Sequence, residues 1–247
     1  MLLRSNRNYR RIVFLAVLAF AIAVATPTYA QPIGTITNMA GPVAVQRGAS
    51  SISPAVGVYV DQGDKITTGP RARMSIALTD RSEIDIGDSA VVTLDEHVVG
   101  PSGRPRTRIG LLAGLVHALV NATARPNSFE VYTPNAVAAA RGTKFDALYA
   151  NGAPRQEYGA CRQFTDVAVY EGIVDVSSTA NPSAHTPVSA GYETTVACSG
   201  APLVPAPIGV GGGHFSGLSP GSMAAPPPPS APSLPAAGLP PVIIKPF

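Results

Sequence analysis

Apolar and polar residues alternate with a period of two over most of positions 31–200. Met74, Ile76 and Leu78 alternate with Arg73, Ser75 and Ala77. Ile84 and Ile86 alternate with Glu83 and Asp85, and Val92 and Leu94 continue the rhythm. Phe145, Ala147 and Tyr149 share one face, as do Val167 with Val169 and Val174 with Val176. This is the pattern of half-buried strands, apolar toward a core and polar toward water. Pro42–Gln46 reads as a further short strand after Gly41. Turn-forming clusters fall between the runs, at Asp61-Gln62-Gly63-Asp64, Asp80-Arg81-Ser82, Gly87-Asp88-Ser89 and Glu171-Gly172. Clusters this tight predict antiparallel hairpins. The fold class predicted is all-β, with tandem antiparallel hairpins forming a sandwich, a barrel-like or a solenoid-like domain.

Two segments test that reading. Ile109–Val120 has the length of a helix, but Gly110 and Gly114 would each cost it about 1 kcal/mol, so a strand is predicted. Asn135–Ala140 is rich in alanine and is predicted to hold a single helical turn. Three stretches, Gly41-Pro-Val-Ala-Val, Gly114-Leu-Val-His-Ala and Gly172-Ile-Val-Asp-Val, read Gly-x-Val-x-apolar. Each is expected to be the second strand of a hairpin leaving a glycine turn, though the spacing has no fixed period.

Both ends of the chain break the alternation. Residues 1–30 have a basic start, the apolar run Ile12–Ala25, and a Thr26–Ala30 stretch ending in a small residue. That is the layout of a secretory signal peptide, with an uncleaved N-terminal anchor as the alternative. The apolar run is shorter than the roughly 20 residues a membrane span needs, and no second span is expected in the mature chain. Residues 201–247 contain 13 Pro and seven Gly, and their only charge is Lys245. Such a segment buries too little surface to offset its ordering entropy, so a disordered Pro/Gly-rich tail is predicted. The division expected is therefore 1–30 signal peptide, 31–200 β domain and 201–247 tail, with a periplasmic or secreted destination.

Charge then narrows the function. The formal net charge is +3, but Arg4, Arg7, Arg10 and Arg11 lie in the signal segment with no acid beside them. The remainder holds 14 basic against 15 acidic groups, and charged residues make up only 13% of the chain. A near-neutral domain has no field to draw it onto a polyphosphate, which excludes a nucleic-acid module. The four histidines are scattered, with no HExxH, no GxSxG and no cysteine beside a base. No catalytic, cofactor or metal site is predicted. The acidic turns read as solvated turn chemistry.

Cys161 and Cys198 are an even count in a chain expected to be exported, which predicts one disulfide, with free thiols as the alternative. Closing a loop of that length would contribute about 4 kcal/mol in the chain-entropy model. Asn151–Phe164 is a longer polar loop carrying Cys161, read as a tolerated insertion, with a binding loop as the alternative.

Several motif blocks follow one another in order. They are Gly63-Asp64-Lys65-Ile66-Thr67-Thr68-Gly69, then Ile76-Ala77-Leu78-Thr79-Asp80-Arg81-Ser82-Glu83-Ile84, then Leu111-Leu112-Ala113-Gly114-Leu115-Val116. The most specific runs from Phe129 through Thr133-Pro134 and Arg141-Gly142-Thr143 to Phe145. Val169-Tyr170-Glu171-Gly172-Ile173-Val174-Asp175-Val176 and Val188-Ser189-Ala190-Gly191-Tyr192-Glu193 close the series. Together these blocks resemble the FecR family. Arg81 stands where the family has glycine, which predicts a turn of a different type. Thr133-Pro134 is expected to end a strand. Gly142 is expected at positive φ or under a close backbone approach. Arg141 is expected to bond carbonyls or a carboxylate inside the domain, with ligand binding as the alternative.

The resemblance implies a relay. In that family a cytoplasmic helical segment holds a sigma factor, one span follows, and a periplasmic domain receives a signal from an outer-membrane receptor. Only 11 residues precede the apolar run here, so the sigma-binding segment is expected to be absent. The function expected is a non-enzymatic, exported FecR-like binding or signalling module whose partner is an envelope protein or glycan. A structural or polysaccharide-associated envelope protein is the alternative. Oligomeric state is left open.

Overall fold

A computed structural model of the protein describes residues 32–98, 106–122 and 128–209. The expected signal peptide and residues 210–247 of the expected tail lie outside the described residues. The first strands are β1 (Pro32–Ala40), β2 (Val43–Arg47), β3 (Ser50–Ile52), β4 (Tyr59–Asp61), β5 (Asp64–Thr68) and β6 (Arg73–Leu78). Then come β7 (Glu83–Ile86), β8 (Val91–Val98), β9 (Arg106–Leu119), β10 (Ser128–Tyr132), β11 (Ala136–Ala140) and β12 (Lys144–Asn151). The last are β13 (Gln163–Glu171), β14 (Ile173–Ser178), β15 (His185–Ser189), β16 (Tyr192–Ala197) and β17 (Ala206–Pro207). A 3-10 turn spans Gln156–Tyr158.

Hydrogen bonds connect the seventeen strands into one open, mixed sheet, which β9 folds into two ladders. The first ladder runs β4-β1-β6-β7-β9-β12-β13-β16-β17. The second runs β3-β2-β5-β8-β9-β10-β11-β14-β15. Residues of β9 up to Ala113 pair in the second ladder, and those from Gly114 onward pair in the first. The β9–β10 pairing is parallel and the other pairings are antiparallel. The all-β architecture expected from the alternation is the one observed, and the sheet does not close into a barrel.

The inward faces of both ladders contribute to one core. Met74, Ile76, Ile84, Ile86, Phe145, Val167 and Val169 come from the first, and Ile66, Val92, Leu94, Phe129, Val174 and Val176 from the second. Phe129 and Phe145 meet edge-on across the ladders at 6.3 Å, a favoured aromatic geometry. His97 ties the ladders at one margin. It hydrogen-bonds Thr79 at 2.8 Å in the β6–β7 turn and Thr107 at 2.9 Å on β9.

Three expectations about the turns are corrected. Asp80-Arg81-Ser82 does close a hairpin, β6–β7. However, Asp61–Asp64, Gly87–Ser89 and Glu171-Gly172 each join strands that do not pair, carrying the chain from one ladder to the other. The Gly-x-Val-x-apolar stretches mark the same event. Gly41, Gly114 and Gly172 have φ of +75°, +81° and +78°, and each stands where the chain changes ladder. Positive φ is open to glycine at little cost, and the crossings are packed too closely for a side chain. A Cβ at Gly114 would lie 2.6 Å from that of Ala90, and one at Gly41 2.8 Å from the Ala72 Cα. Arg81 has φ of +68°, the conformation a glycine would supply, so the turn is not of a different type.

Two further corrections concern extent. Asn135–Ala140 holds no helical turn, because Ala136–Ala140 is a strand paired on both sides with β10 and β14. Cross-strand pairing overrides alanine's helical preference there. The expected boundary at Gly200 is also too early. Residues 201–209 return along β16, with Ala206 opposite Glu193 and Pro207 opposite Tyr192. This strap is held by main-chain bonds, which hydrophobic periodicity does not report.

Candidate functional site

The outer face of the first ladder carries a dense polar cluster. Register sets it. His117 on β9 lies opposite Asp146 on β12, Asp146 opposite Ala168 on β13, and Ala168 opposite Glu193 on β16. Side chains opposite one another on one face of a sheet are neighbours, so these form a row. Asp85 on β7 extends it on the far side of His117.

His117 Nδ1 hydrogen-bonds Asp146 Oδ1, and the Tyr170 hydroxyl donates to Asp146 Oδ2 at 2.7 Å. The rings of His117 and Tyr170 lie 6.0 Å apart. Burial holds the Tyr170 phenol well above its ordinary range, and the Asp146 carboxylate that accepts its proton adds to the shift. Asp146 is thus a buried acceptor with a donor on each oxygen.

The second half of the cluster lies under the Asn151–Phe164 loop. Arg155 Nη1 and Nη2 donate to Asp166 Oδ1 and Oδ2 at 2.9 and 2.6 Å. The Thr195 hydroxyl donates to Asp166 Oδ1 at 2.7 Å. The Arg155 guanidinium sits 4.1 Å over the Phe164 ring, and Tyr158 packs on the same ring at 5.3 Å. A forked, stacked arginine of this kind is the strong form of ion pair. Beside it, Glu193 is 7% exposed and its Oε2 has no hydrogen-bond partner. Burial raises the Glu193 carboxyl above its usual range and the Asp166 charge raises it further, while the Gly209 N–H opposes both. The loop read as an insertion is therefore a cover, and Cys161 within it is bonded to Cys198 just beyond β16.

Apart from Glu193 Oε2, this arrangement fixes charges and protons by pairing them with one another. Among the described residues, no three or more His, Cys, Asp or Glu side chains converge as metal ligands. None of these cluster residues was singled out as a site in the sequence. Their outward parity was legible, but the register that makes them neighbours was not.

The residues singled out by motif lie elsewhere, chiefly at turns and crossings. Asp64 is fully buried and chelated by Arg47 at 2.8 and 2.7 Å, and it accepts the Asp61 N–H at 2.9 Å. Gly63, at φ +88°, sets the turn before it. Thr68 donates to the Gly87 carbonyl at 2.6 Å and accepts the Ala90 N–H at 2.9 Å. Thr133 and Thr165 share a 2.6 Å hydrogen bond, and the Pro134 carbonyl accepts the Thr179 hydroxyl at 3.1 Å. Gly142 has φ of +58° and packs against Ala122. Thr143 and Phe145 are buried, and the Thr143 carbonyl accepts the Val120 N–H at 2.8 Å. The Gly191 N–H donates to the Val169 carbonyl at 2.7 Å. Glu171 is exposed beside Gly172.

Arg141 departs from expectation. It is exposed and makes no hydrogen bond or ion pair among the described residues. The bend at Arg141-Gly142 turns its side chain outward at the β11–β12 crossing, so it braces nothing inside the domain.

Residues 64–175 match the family model described as FecR protein. These residues form a FecR domain. It extends from β5 into β14, so it contains His117, Asp146, Asp166 and Tyr170 but not Glu193 or the strap. Strands β1–β4 complete the ladders on one side of the FecR domain, and β15–β17 on the other. Two solved structures also resemble the chain. Both are of a "putative anti-sigma factor" from Parabacteroides distasonis ATCC 8503, at 1.65 and 2.50 Å resolution. Identity is 14% with a TM-score of 0.43 for the first, and 15% with 0.44 for the second. Each match covers 58% of this chain and 59% of the other. No curated protein matches the chain.

Proposed function

We propose that this protein is an exported, non-enzymatic binding and signalling module of the cell envelope. The observation that carries the reading is the FecR domain at residues 64–175. The polar cluster supports it, because its groups, Glu193 Oε2 apart, pair with one another as a scaffold does. The relay associated with the family gives such a domain the recognition step, receiving a signal from another envelope protein. Export directed by residues 1–30 brings the domain to that compartment.

Arg141 is the contact residue of this reading. An exposed arginine with no partner among the described residues can form a forked pair with a carboxylate of a binding protein. The test is photo-crosslinking in intact cells from a crosslinking residue at position 141 of the full-length tagged protein. One envelope protein should be recovered from the periplasmic or membrane fraction. Arg141→Glu should weaken its capture at least tenfold while leaving the melting temperature within about 2 °C, as for a surface change. A chain retained in the cytoplasm, or capture of glycan alone, would refute the proposal.

A further inference from the structure

The two ladders have four lateral ends, and three are closed in ways the chain cannot easily undo. On β15, the Ala190 N–H to Gly172 carbonyl bond fixes which residues face β14. By alternation, Thr186 and Val188 face inward and Pro187 faces the open side, where it has no N–H to offer. On β4, the Tyr59 carbonyl accepts Arg47 at 3.2 Å and the Asp61 N–H is taken by the buried Asp64. Strand β3 is three residues long and is followed by Ser53-Pro54.

The fourth end is different. The Cys198 N–H to Gln163 carbonyl bond sets the phase of β16, so Thr194 and Val196 point their main-chain groups at β13. Glu193 and Thr195 point theirs outward, at the strap. The strap holds on weakly. None of residues 201–209 is buried, Leu203 and Val204 are 45% and 88% exposed, and Pro202, Pro205 and Pro207 lack donors. Its bonds are Leu203 N–H to Thr195 O at 3.0 Å, Thr194 Oγ1 to Leu203 O at 2.7 Å, Ile208 N–H to Gly191 O at 3.0 Å, the Gly209 N–H to the Glu193 carboxylate, and the two-residue β17 ladder. Its root is the disulfide-bonded Cys198. The strap can therefore swing away while β16 stays fixed to β13.

A second, independent observation points to what replaces it. Glu193 is buried with an unpartnered carboxylate oxygen. The strap residue directly opposite is Ala206, whose methyl group offers no donor. We infer that the outward edge of β16 is a strand-addition site for an extended segment of a partner protein carrying a lysine or arginine opposite Glu193, and that residues 201–209 occupy the edge until that segment displaces them. Main-chain bonds would supply affinity and the basic residue specificity. The inference deepens the reading above and rests on it only in taking the domain as protein-binding.

The test uses the full chain and three synthetic heptapeptides of alternating Thr and Val. One carries a central Lys, one a central Glu, and one the Lys sequence with alternate amides N-methylated. Wild type is compared with Leu203→Pro/Ala206→Pro, which removes two strap donors, and with Glu193→Gln. The Lys peptide should bind the loosened variant at least tenfold more tightly than wild type. The Glu peptide should bind it at least tenfold more weakly than the Lys peptide, and the N-methylated peptide not at all. Glu193→Gln should keep binding and lose the Lys/Glu discrimination. Hydrogen exchange should show the Lys peptide protecting the Glu193 and Thr195 amides. A loosened variant that is folded by circular dichroism yet binds none of the peptides, or all three alike, overturns the inference. Crosslinking from position 141 that still recovers an envelope protein in that event leaves the binding reading standing. Failed crosslinking with successful peptide binding does the reverse.

Discussion

Single residues in this protein carry identifiable strain and titration. Arg81 holds φ at +68° in the β6–β7 turn, a conformation costing an ordinary residue about 1–2 kcal/mol. Arg81→Gly removes that cost and adds chain entropy to the unfolded state, so a net gain of about 0.5–1 kcal/mol is expected from urea unfolding. His97 is the residue-scale pH sensor of stability. Burial holds it below its ordinary value of 6.5, opposed by the nearby charge of Asp80. As pH falls below about 6.5, the unfolded chain takes up the proton before the folded chain does. Stability is therefore lost on acidification and is unaffected by this group above neutrality. The melting temperature should drop between pH 8 and pH 5.5, and His97→Gln should flatten that slope relative to wild type. Neither Arg81 nor His97 could be read this way from sequence. Arg81 looked like a departure from a glycine turn, and the backbone adopts the glycine conformation regardless. His97 looked like one of four scattered histidines, and its partners lie on another strand and in a turn of the other ladder.

Elements follow local chemistry closely up to the point where they must choose a neighbour. Period-two alternation assigned the inward faces of β6, β7, β12, β13 and β14 correctly, because parity is a property of the strand itself. The same alternation could not separate a hairpin turn from a ladder crossing. Both need a tight, glycine-bearing bend, and they differ only in which strand the chain joins next. Gly114 shows the difference most clearly, since it sits inside one continuous strand and moves that strand between ladders. Gly114→Ala imposes both the positive φ and a contact with Ala90 at 2.6 Å. The expected loss is about 3 kcal/mol, measured by equilibrium unfolding, with far-UV circular dichroism retaining its strand signature. Arg141 shows a related limit of the sequence. A motif can place an arginine next to a special glycine without saying which way the bend points.

The whole molecule is fastened at its C-terminal side by one covalent link. The Cys161–Cys198 bond joins the loop covering Asp166 and Phe164 to the end of β16, with Cα atoms 5.8 Å apart. Reduction releases a closed loop whose entropy is worth about 4 kcal/mol in the chain-entropy model. The melting temperature in reductant should fall by roughly 10 °C for a domain of this size. Hydrogen exchange should rise first in residues 152–162, and a double Cys161→Ser/Cys198→Ser variant should behave alike. The cysteine count and spacing made the pairing legible. That the loop lies over a polar cluster was not, because Arg155 and Asp166 become neighbours only after β12 and β13 have paired.

The regular exchange of hairpins between the two ladders also gives the molecule a direction. Hairpin β6–β7 belongs to the first ladder, β10–β11 to the second, β12–β13 to the first and β14–β15 to the second. From β5 onward each newly made hairpin lands next to strands made shortly before it. A chain emerging N-terminus first can then complete its core rung by rung, without waiting for its last strand to pair with its first.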